Sequence, residues 1–276
     1  MQVLNLELEL DYQAAGLKVP EKRPAFTGYI LRSNGEYCPK RPAVLICPGG
    51  GYAFTSDREA TPIAMAFLAA GIDAFVLRYT CAPEAGFPTQ LVEAAAAMRQ
   101  IRSHAEEWEL DESRIAICGF SAGGHLAASL GVFGNSDLLK ERGLGGSCCQ
   151  PDGMVLCYPV ITSGPHAHRG SFHNLLMEQE TPDMLALTSL ENQVTADTPP
   201  AFLWHTWTDD AVPVQNTLLF ASALADKSIP AEVHIYPRGG HGLSLANELV
   251  CGPEGILPEV QDWIRLATAW VKNLQK

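Results

Sequence analysis

From residue 43 onward, short apolar runs alternate with stretches in which apolar residues recur at every third or fourth position. Ala43–Cys47, Ile72–Tyr79, the run at Ile115–Cys118, Met154–Pro159, Ala201–His205 and Glu232–Tyr236 read as strands, and most are apolar enough to be buried. Between them, Glu59–Ala70, Thr89–Trp108, the residues after Ser121, Val214–Lys227 and Pro258–Leu274 carry the helical period. Upstream, Leu4, Leu6, Leu8 and Leu10 alternate with Asn5, Glu7 and Glu9, as in a half-exposed strand, and a second strand is predicted around Phe26–Leu31. These two should form an antiparallel edge. Strands alternating with helices imply right-handed βαβ units, hence an α/β fold whose mostly parallel central sheet has helices on both faces. Trp263, Leu266, Trp270, Val271 and Leu274 share one helical face, the pattern of core packing.

Residues 161–199 interrupt the alternation and are longer than an ordinary connection. They follow a strand whose C-terminal end should lie at the functional edge, so they read as a cap or lid inserted within a single domain spanning 1–276. His166, His168 and His173 lie there without an acidic or cysteine partner at metal-binding spacing, so no metal is expected.

A chain of 276 residues, 47% of them hydrophobic, can bury a sizeable core. A net charge of -12 argues against nucleic acid and anionic membrane surfaces as partners. The opening Met-Gln-Val-Leu-Asn-Leu-Glu-Leu-Glu-Leu-Asp lacks the basic and apolar regions of a secretory signal, and no apolar run is long enough to span a bilayer. Cys47, Cys118 and Cys157 fall in predicted strands, and the adjacent Cys148-Cys149 is not a zinc spacing. The cysteines therefore read as reduced thiols of a cytoplasmic protein. A homo-oligomer is compatible with this composition.

The strongest chemical signal is Gly119-Phe-Ser121-Ala-Gly123, a Gly-x-Ser-x-Gly pentapeptide set where a strand must turn sharply into a helix. That context presents a serine hydroxyl at the sheet edge, at a helix N-terminus that favours developing negative charge. Serine needs a base, and the base needs an orienting acid. Both follow in the order this fold uses. Asp209 and Asp210 stand just past the Ala201 strand, and His241 stands in the glycine-rich Pro237-Arg-Gly-Gly-His241-Gly loop past the last strand. Asp209 is preferred because it heads an Asp-x-x-Val-Pro pattern; Asp210 should then cap the next helix. His125, one turn after Ser121 on its helix, is expected to pack or to bond a neighbouring loop, and His205 to be structural. Pro48-Gly-Gly-Gly51-Tyr52 follows the Ala43 strand where a glycine loop can offer N–H groups to an oxyanion, with Ala122 supplying the second donor; as a phosphate loop it lacks the Gly-Lys-Ser/Thr ending.

Pro48-Gly-Gly-Gly-Tyr52, Gly119-Phe-Ser-Ala-Gly-Gly-His-Leu126, His205-Thr206 with Asp209-x-x-Val-Pro213, and Gly239-Gly-His-Gly242 together resemble the α/β-hydrolase esterases. Within these the chain looks most like the bacterial acetyl-esterase and acetylxylan-esterase-like group, related to hormone-sensitive-lipase-type and feruloyl esterases. The resemblance implies Ser121, Asp209 and His241 as a triad, with Gly50, Gly51 and Ala122 around the oxyanion. One departure is Pro48, where the hormone-sensitive-lipase pattern has histidine. The implied activity is cofactor-free hydrolysis of short acyl esters, with a small-molecule or oligosaccharide ester as substrate. Hydroxycinnamoyl esterase, prolyl-oligopeptidase-type serine peptidase and a non-catalytic binding protein on the same scaffold are the alternatives.

Overall fold

The computed structural model describes residues 1–32 and 39–274. Eight strands, β1 (Gln2–Leu6), β2 (Ala25–Ile30), β3 (Arg41–Cys47), β4 (Asp73–Arg78), β5 (Leu110–Phe120), β6 (Gly153–Cys157), β7 (Ala201–Thr206) and β8 (Ala231–Tyr236), form one sheet in the order β1-β2-β4-β3-β5-β6-β7-β8. β1 and β2 pair antiparallel, and so do β2 and β4; every later pairing is parallel. The helices are α1 (Thr61–Ala69), α2 (Thr89–Ser103), α3 (Ala122–Phe133), α4 (Asp137–Lys140), α5 (Arg169–Leu176), α6 (Pro182–Leu187), α7 (Gln215–Asp226), α8 (Pro258–Gln261) and α9 (Trp263–Lys272).

Alternate side chains of a strand point to opposite faces, and β3 shows what that does here. Ala43, Leu45 and Cys47 join one core with α2, α3 and α7. Val44 and Ile46 join the other with α1 and α9. Both faces of β3 are therefore covered, which is why it reads as a continuous apolar run. Trp263 and Val271 are fully buried in the second core, with Leu266 and Trp270 packed against it, as the shared helical face requires.

Three elements depart from the sequence expectation. The leucine alternation of the N-terminus continues to Leu10, but the ladder with β2 stops at Leu6. Beyond it the chain runs over α2, where the Gln100 side chain accepts from Glu9 N–H (3.1 Å) and donates to Glu7 O (3.0 Å) in place of a strand. α2 ends at Ser103, not Trp108, and the chain passes through turns to Glu109, which has φ +56°. The closing helix divides into α8 and α9 at Asp262; Trp263, just past the break, donates its indole N–H to Ser244 O (2.8 Å). Among the described residues no helix is long and apolar enough to cross a membrane, and no group of His, Cys, Asp or Glu could hold a metal ion.

Candidate active site

The segments after β3, β5, β6, β7 and β8 all emerge at the C-terminal edge of the parallel strands, where open α/β sheets bind ligands. Ser121 occupies the single residue between β5 and α3, with φ +53° and ψ -120°, a conformation that costs a non-glycine residue roughly 1–3 kcal/mol. Its backbone is held on all sides. The N–H donates to Cys157 O, and the carbonyl accepts from His125 N–H and Val160 N–H, each at 3.0 Å. The flanking glycines are there because the chain segments meet at that point. A Cβ on Gly119 would lie 2.0 Å from Gly123 O, and one on Gly123 would lie 2.1 Å from Cys47 O.

Around this turn the structure brings together three of the residues singled out above. His241 Nε2 and Ser121 Oγ are 2.8 Å apart, and His241 Nδ1 and Asp209 Oδ2 are 2.7 Å apart. Because Nδ1 faces a carboxylate, the proton sits there, which leaves Nε2 free to accept from the serine hydroxyl. Asp209 is almost wholly enclosed. Its Oδ1 accepts from Ala211 N–H (3.0 Å) and Val212 N–H (2.8 Å), and its Oδ2 accepts a second ring N–H, from His205 Nε2 (3.2 Å). Burial pulls the Asp209 carboxyl upward, but the bonds from His205, His241 and Val212 outweigh it and hold the group well below the usual carboxylate range.

His205 is thus more than the structural residue expected. Its Nε2 faces two acceptors, Asp209 Oδ2 and Val212 O (2.9 Å), and so carries a proton, while Nδ1 meets Thr217 Oγ1 at 2.8 Å. Asp210 does not cap α7. Its Oδ1 accepts from the backbone N–H of His241 (3.2 Å), placing it beneath the histidine loop. His125 takes the expected helix-to-loop bond: Nε2 donates to Thr188 O (2.8 Å), and Nδ1 accepts from Tyr52 OH (2.8 Å). Burial lowers its pKa to about 4.

The glycine loop after β3 lies against the serine. Gly50 has φ +134°, and a Cβ there would sit 2.2 Å from Phe54 O, so only glycine fits. Neither Gly50 N–H nor Gly51 N–H has an acceptor among the described residues, and Ala122, as the first residue of α3, has no intrahelical acceptor. These are the three donors the sequence nominated. Tyr79 OH donates to Pro48 O (2.7 Å), and Asn174 on α5 donates to Gly51 O (2.8 Å), holding the loop from two sides.

A cavity of about 330 Å³ opens onto Ser121 and His241, lined also by Gly50, Gly51, Phe54, Arg58, Glu59 and His168. Phe54 is 62% exposed. His168 comes from the 161–199 segment, with Nδ1 bonded to Ser171 Oγ (2.8 Å); burial lowers its pKa. Trp207 is 61% exposed and does not line the cavity. Sequence reasoning passed over Glu59 and Tyr158. Glu59, buried, accepts from Gly49 N–H (2.8 Å) and from Tyr158 OH (2.6 Å), and the Tyr158 ring stands edge-on to His241 at 5.2 Å. Their only signal was position, Tyr158 at the end of a predicted strand and Glu59 at the start of a predicted helix.

Comparison with known proteins places these features in context. A family model described as BD-FAE matches residues 33–224. Endo-1,4-beta-xylanase B of Butyrivibrio fibrisolvens is 41% identical over 214 residues, covering 76% of this chain and 33% of that protein. The acetylxylan esterase of Xylanibacter ruminicola is 26% identical over 238 residues, covering 83% and 47%. The chain therefore spans a third to a half of the length of these curated relatives. Among solved structures, the acetyl ester-xyloside bifunctional hydrolase of Caldicellulosiruptor lactoaceticus matches with a TM-score of 0.83 at 36% identity, covering 98% of this chain and 95% of that one. The carboxylesterase Cest-2923 of Lactobacillus plantarum matches with a TM-score of 0.83 at 30% identity, covering 99% and 97%.

Proposed function

The chain belongs to the BD-FAE family and has the α/β-hydrolase fold, and from that premise we propose that it is a serine carboxylesterase that removes short acyl groups, acetyl above all, from sugar-linked esters such as those of xylo-oligosaccharides. The observation that carries the reading is the hydrogen-bonded line from Ser121 Oγ through His241 to Asp209, beside backbone N–H groups with no other acceptor. The sugar leaving group draws its support from the names of the acetylxylan esterase and of the acetyl ester-xyloside hydrolase, and from the exposed Phe54 ring, an apolar wall at the cavity on which a sugar face can rest.

In this mechanism His241 Nε2 takes the Ser121 proton as Oγ attacks the ester carbonyl carbon, and the oxygen that becomes negative is held by the N–H groups of Gly50, Gly51 and Ala122. Asp209 keeps the His241 proton on Nδ1 and stabilises the imidazolium. The imidazolium then gives its proton to the departing alcohol. Water, deprotonated by the same nitrogen, cleaves the acyl-serine and releases the acid. The 161–199 segment, which supplies His168 to the cavity and Asn174 to the glycine loop, would act as a cap over the leaving group.

A panel of acetyl, butyryl and feruloyl esters, each with sugar and simple alcohol leaving groups, tests the reading alongside an aminoacyl amide. Acetyl sugar esters should be turned over fastest, and a fluorophosphonate should label Ser121. Ser121→Ala should lower kcat by about 10⁶-fold. Faster cleavage of the amide, or near-native ester turnover by Ser121→Ala, would sink the proposal.

A further inference from the structure

Among the described residues no lysine or arginine is bonded to the Glu59 carboxylate, although only 3% of the residue is exposed and it reaches the wall of the cavity beside Ser121. An ionised group so placed is costly unless it is fully hydrogen-bonded. Its two oxygens serve two different loops. Oε2 accepts from Gly49 N–H, the peptide that leads into Gly50 and Gly51. Oε1 accepts from Tyr158 OH, and the same hydroxyl oxygen accepts from Ser244 N–H (2.9 Å), three residues beyond His241. The link is doubled on the backbone, where Ser244 Oγ donates to Arg58 O (2.7 Å). No slack remains at the contact. A Cβ on Gly49 would lie 2.8 Å from Glu59 Oε2 and 3.0 Å from Ser121 Cβ, so carboxylate, glycine loop and serine touch. Burial pushes the Glu59 carboxyl up, and the bonds from Tyr158 and Gly49 and the nearby Arg58 guanidinium offset that only in part; in this geometry both carboxyl oxygens are acceptors.

We propose that Glu59 is a positioning residue for the hydrolysis inferred above: through Gly49 on one side and Tyr158 on the other, it locks the loop carrying the oxyanion donors to the loop carrying His241. The proposal rests on the esterase reading for its kinetic consequence, not for its structural one. Donors and base must hold their relative position as charge moves from the serine to the carbonyl oxygen, and a misplacement near 1 Å can cost on the order of 10²-fold in rate. The ground-state ester does not need that alignment, so the effect belongs in kcat and not in KM.

The test uses Glu59→Gln and Tyr158→Phe in the full chain. Glutamine cannot accept from both Gly49 and Tyr158, because one of its two polar atoms is a donor. Phenylalanine keeps the ring against His241 and removes only the hydroxyl. Each variant is assayed for kcat and KM on p-nitrophenyl acetate, and for amide hydrogen exchange in peptides covering 48–54 and 239–246. The expected result for Glu59→Gln is a kcat lowered about 10²-fold, a KM within about threefold, and faster exchange in both peptides. Tyr158→Phe should change in the same direction and carries both readouts if Glu59→Gln does not fold. A kcat within threefold of the wild type, or exchange that rises in one loop only, overturns the proposal. Wild-type protein that turns over no ester would sink the esterase reading alone, because the exchange comparison decides the coupling without turnover.

Discussion

Asp209→Asn isolates the role of the acid, because nearly every other feature of the site can stay where it is. The carboxylate accepts four hydrogen bonds, two from backbone N–H groups of Ala211 and Val212 and two from ring N–H groups of His205 and His241. Asparagine retains one acceptor oxygen. If its NH2 faced the backbone amides, two donors that cannot change would oppose it, at about 1–3 kcal/mol for each buried group left unpaired. If its NH2 faces the rings, His241 can move its proton to the other nitrogen, while His205 keeps its Nε2 proton on Val212 O (2.9 Å) and gives up only the longer contact to residue 209 (3.2 Å). The second arrangement should therefore prevail. His241 then carries its proton on Nε2, aimed at Ser121 Oγ, and cannot receive the hydroxyl proton. A wrong tautomer with geometry intact costs about 10⁴ in kcat, or about 5 kcal/mol at 1.36 kcal/mol per decade. The assay is steady-state hydrolysis of p-nitrophenyl acetate near pH 7.5, with Asp210→Asn in parallel. Among the described residues Asp210 accepts from the His241 backbone N–H alone and lies outside the ring pairing, so its variant should stay within about fivefold of the wild type, as expected of an exposed substitution. A crippled Asp210→Asn beside a nearly normal Asp209→Asn would refute the reasoning. A stability signature accompanies the kinetic one. The folded pKa of Asp209 is depressed, so its contribution is present above the unfolded carboxylate value near 3.9 and is lost as pH falls below it. Acid titration of unfolding should show that loss in the wild type and not in Asp209→Asn.

Three further outcomes follow from backbone and burial. Ser121→Gly should abolish hydrolysis yet raise Tm by a few degrees, since glycine relieves a φ of +53° that costs roughly 1–3 kcal/mol; a lower Tm would contradict the strain. Gly123→Ala should yield little folded protein, because the new methyl would lie 2.1 Å from Cys47 O and 2.4 Å from Pro48 O, both backbone atoms; a soluble, active variant would disprove the close approach. His125, with a pKa lowered to about 4 by burial, stays neutral in the folded chain while the unfolded chain takes up a proton near pH 6.5. Stability should therefore fall by up to about 3 kcal/mol as pH drops from 6.5 to 4. In His125→Gln, which can still donate to Thr188 O, urea unfolding at pH 7 and pH 4.5 should show a smaller difference; equal slopes would show that His125 is not the group involved.

The parallel strands and the serine turn were legible because each is written within a few adjacent residues: a buried strand as a run, the turn as five residues between a strand and a helix. His241 and Asp209 were legible because the fold fixes their order and places them just past strands. What escaped was where individual side chains turn. His205 precedes Asp209 by only four residues, yet nothing in the sequence pattern shows that its ring completes the carboxylate's shell. Tyr158 reads as the polar end of an apolar strand, and Glu59 as the acidic start of a helix; only the sheet order, which sets β6 two strands from β3, brings them together. The ends of β1 and α2 were misread for a related reason. A leucine alternation records which side chains face inward, not whether a partner strand is there, and the partner after Leu6 is a glutamine on α2.

The fastening of Ser121 through its own backbone has a consequence for redesign. Since β6, the loop that follows it and α3 hold the residue by main-chain bonds alone, the proposed point of attack should stay fixed under almost any exchange of surrounding side chains. Substrate range is then an interchangeable part. The 161–199 segment and the stretch around Phe54 should be open to grafting from relatives of different preference without resetting the proposed nucleophile, on two conditions: a graft must offer a carbonyl where Thr188 stands, or the His125 ring within α3 loses its acceptor, and a donor where Asn174 holds Gly51 O.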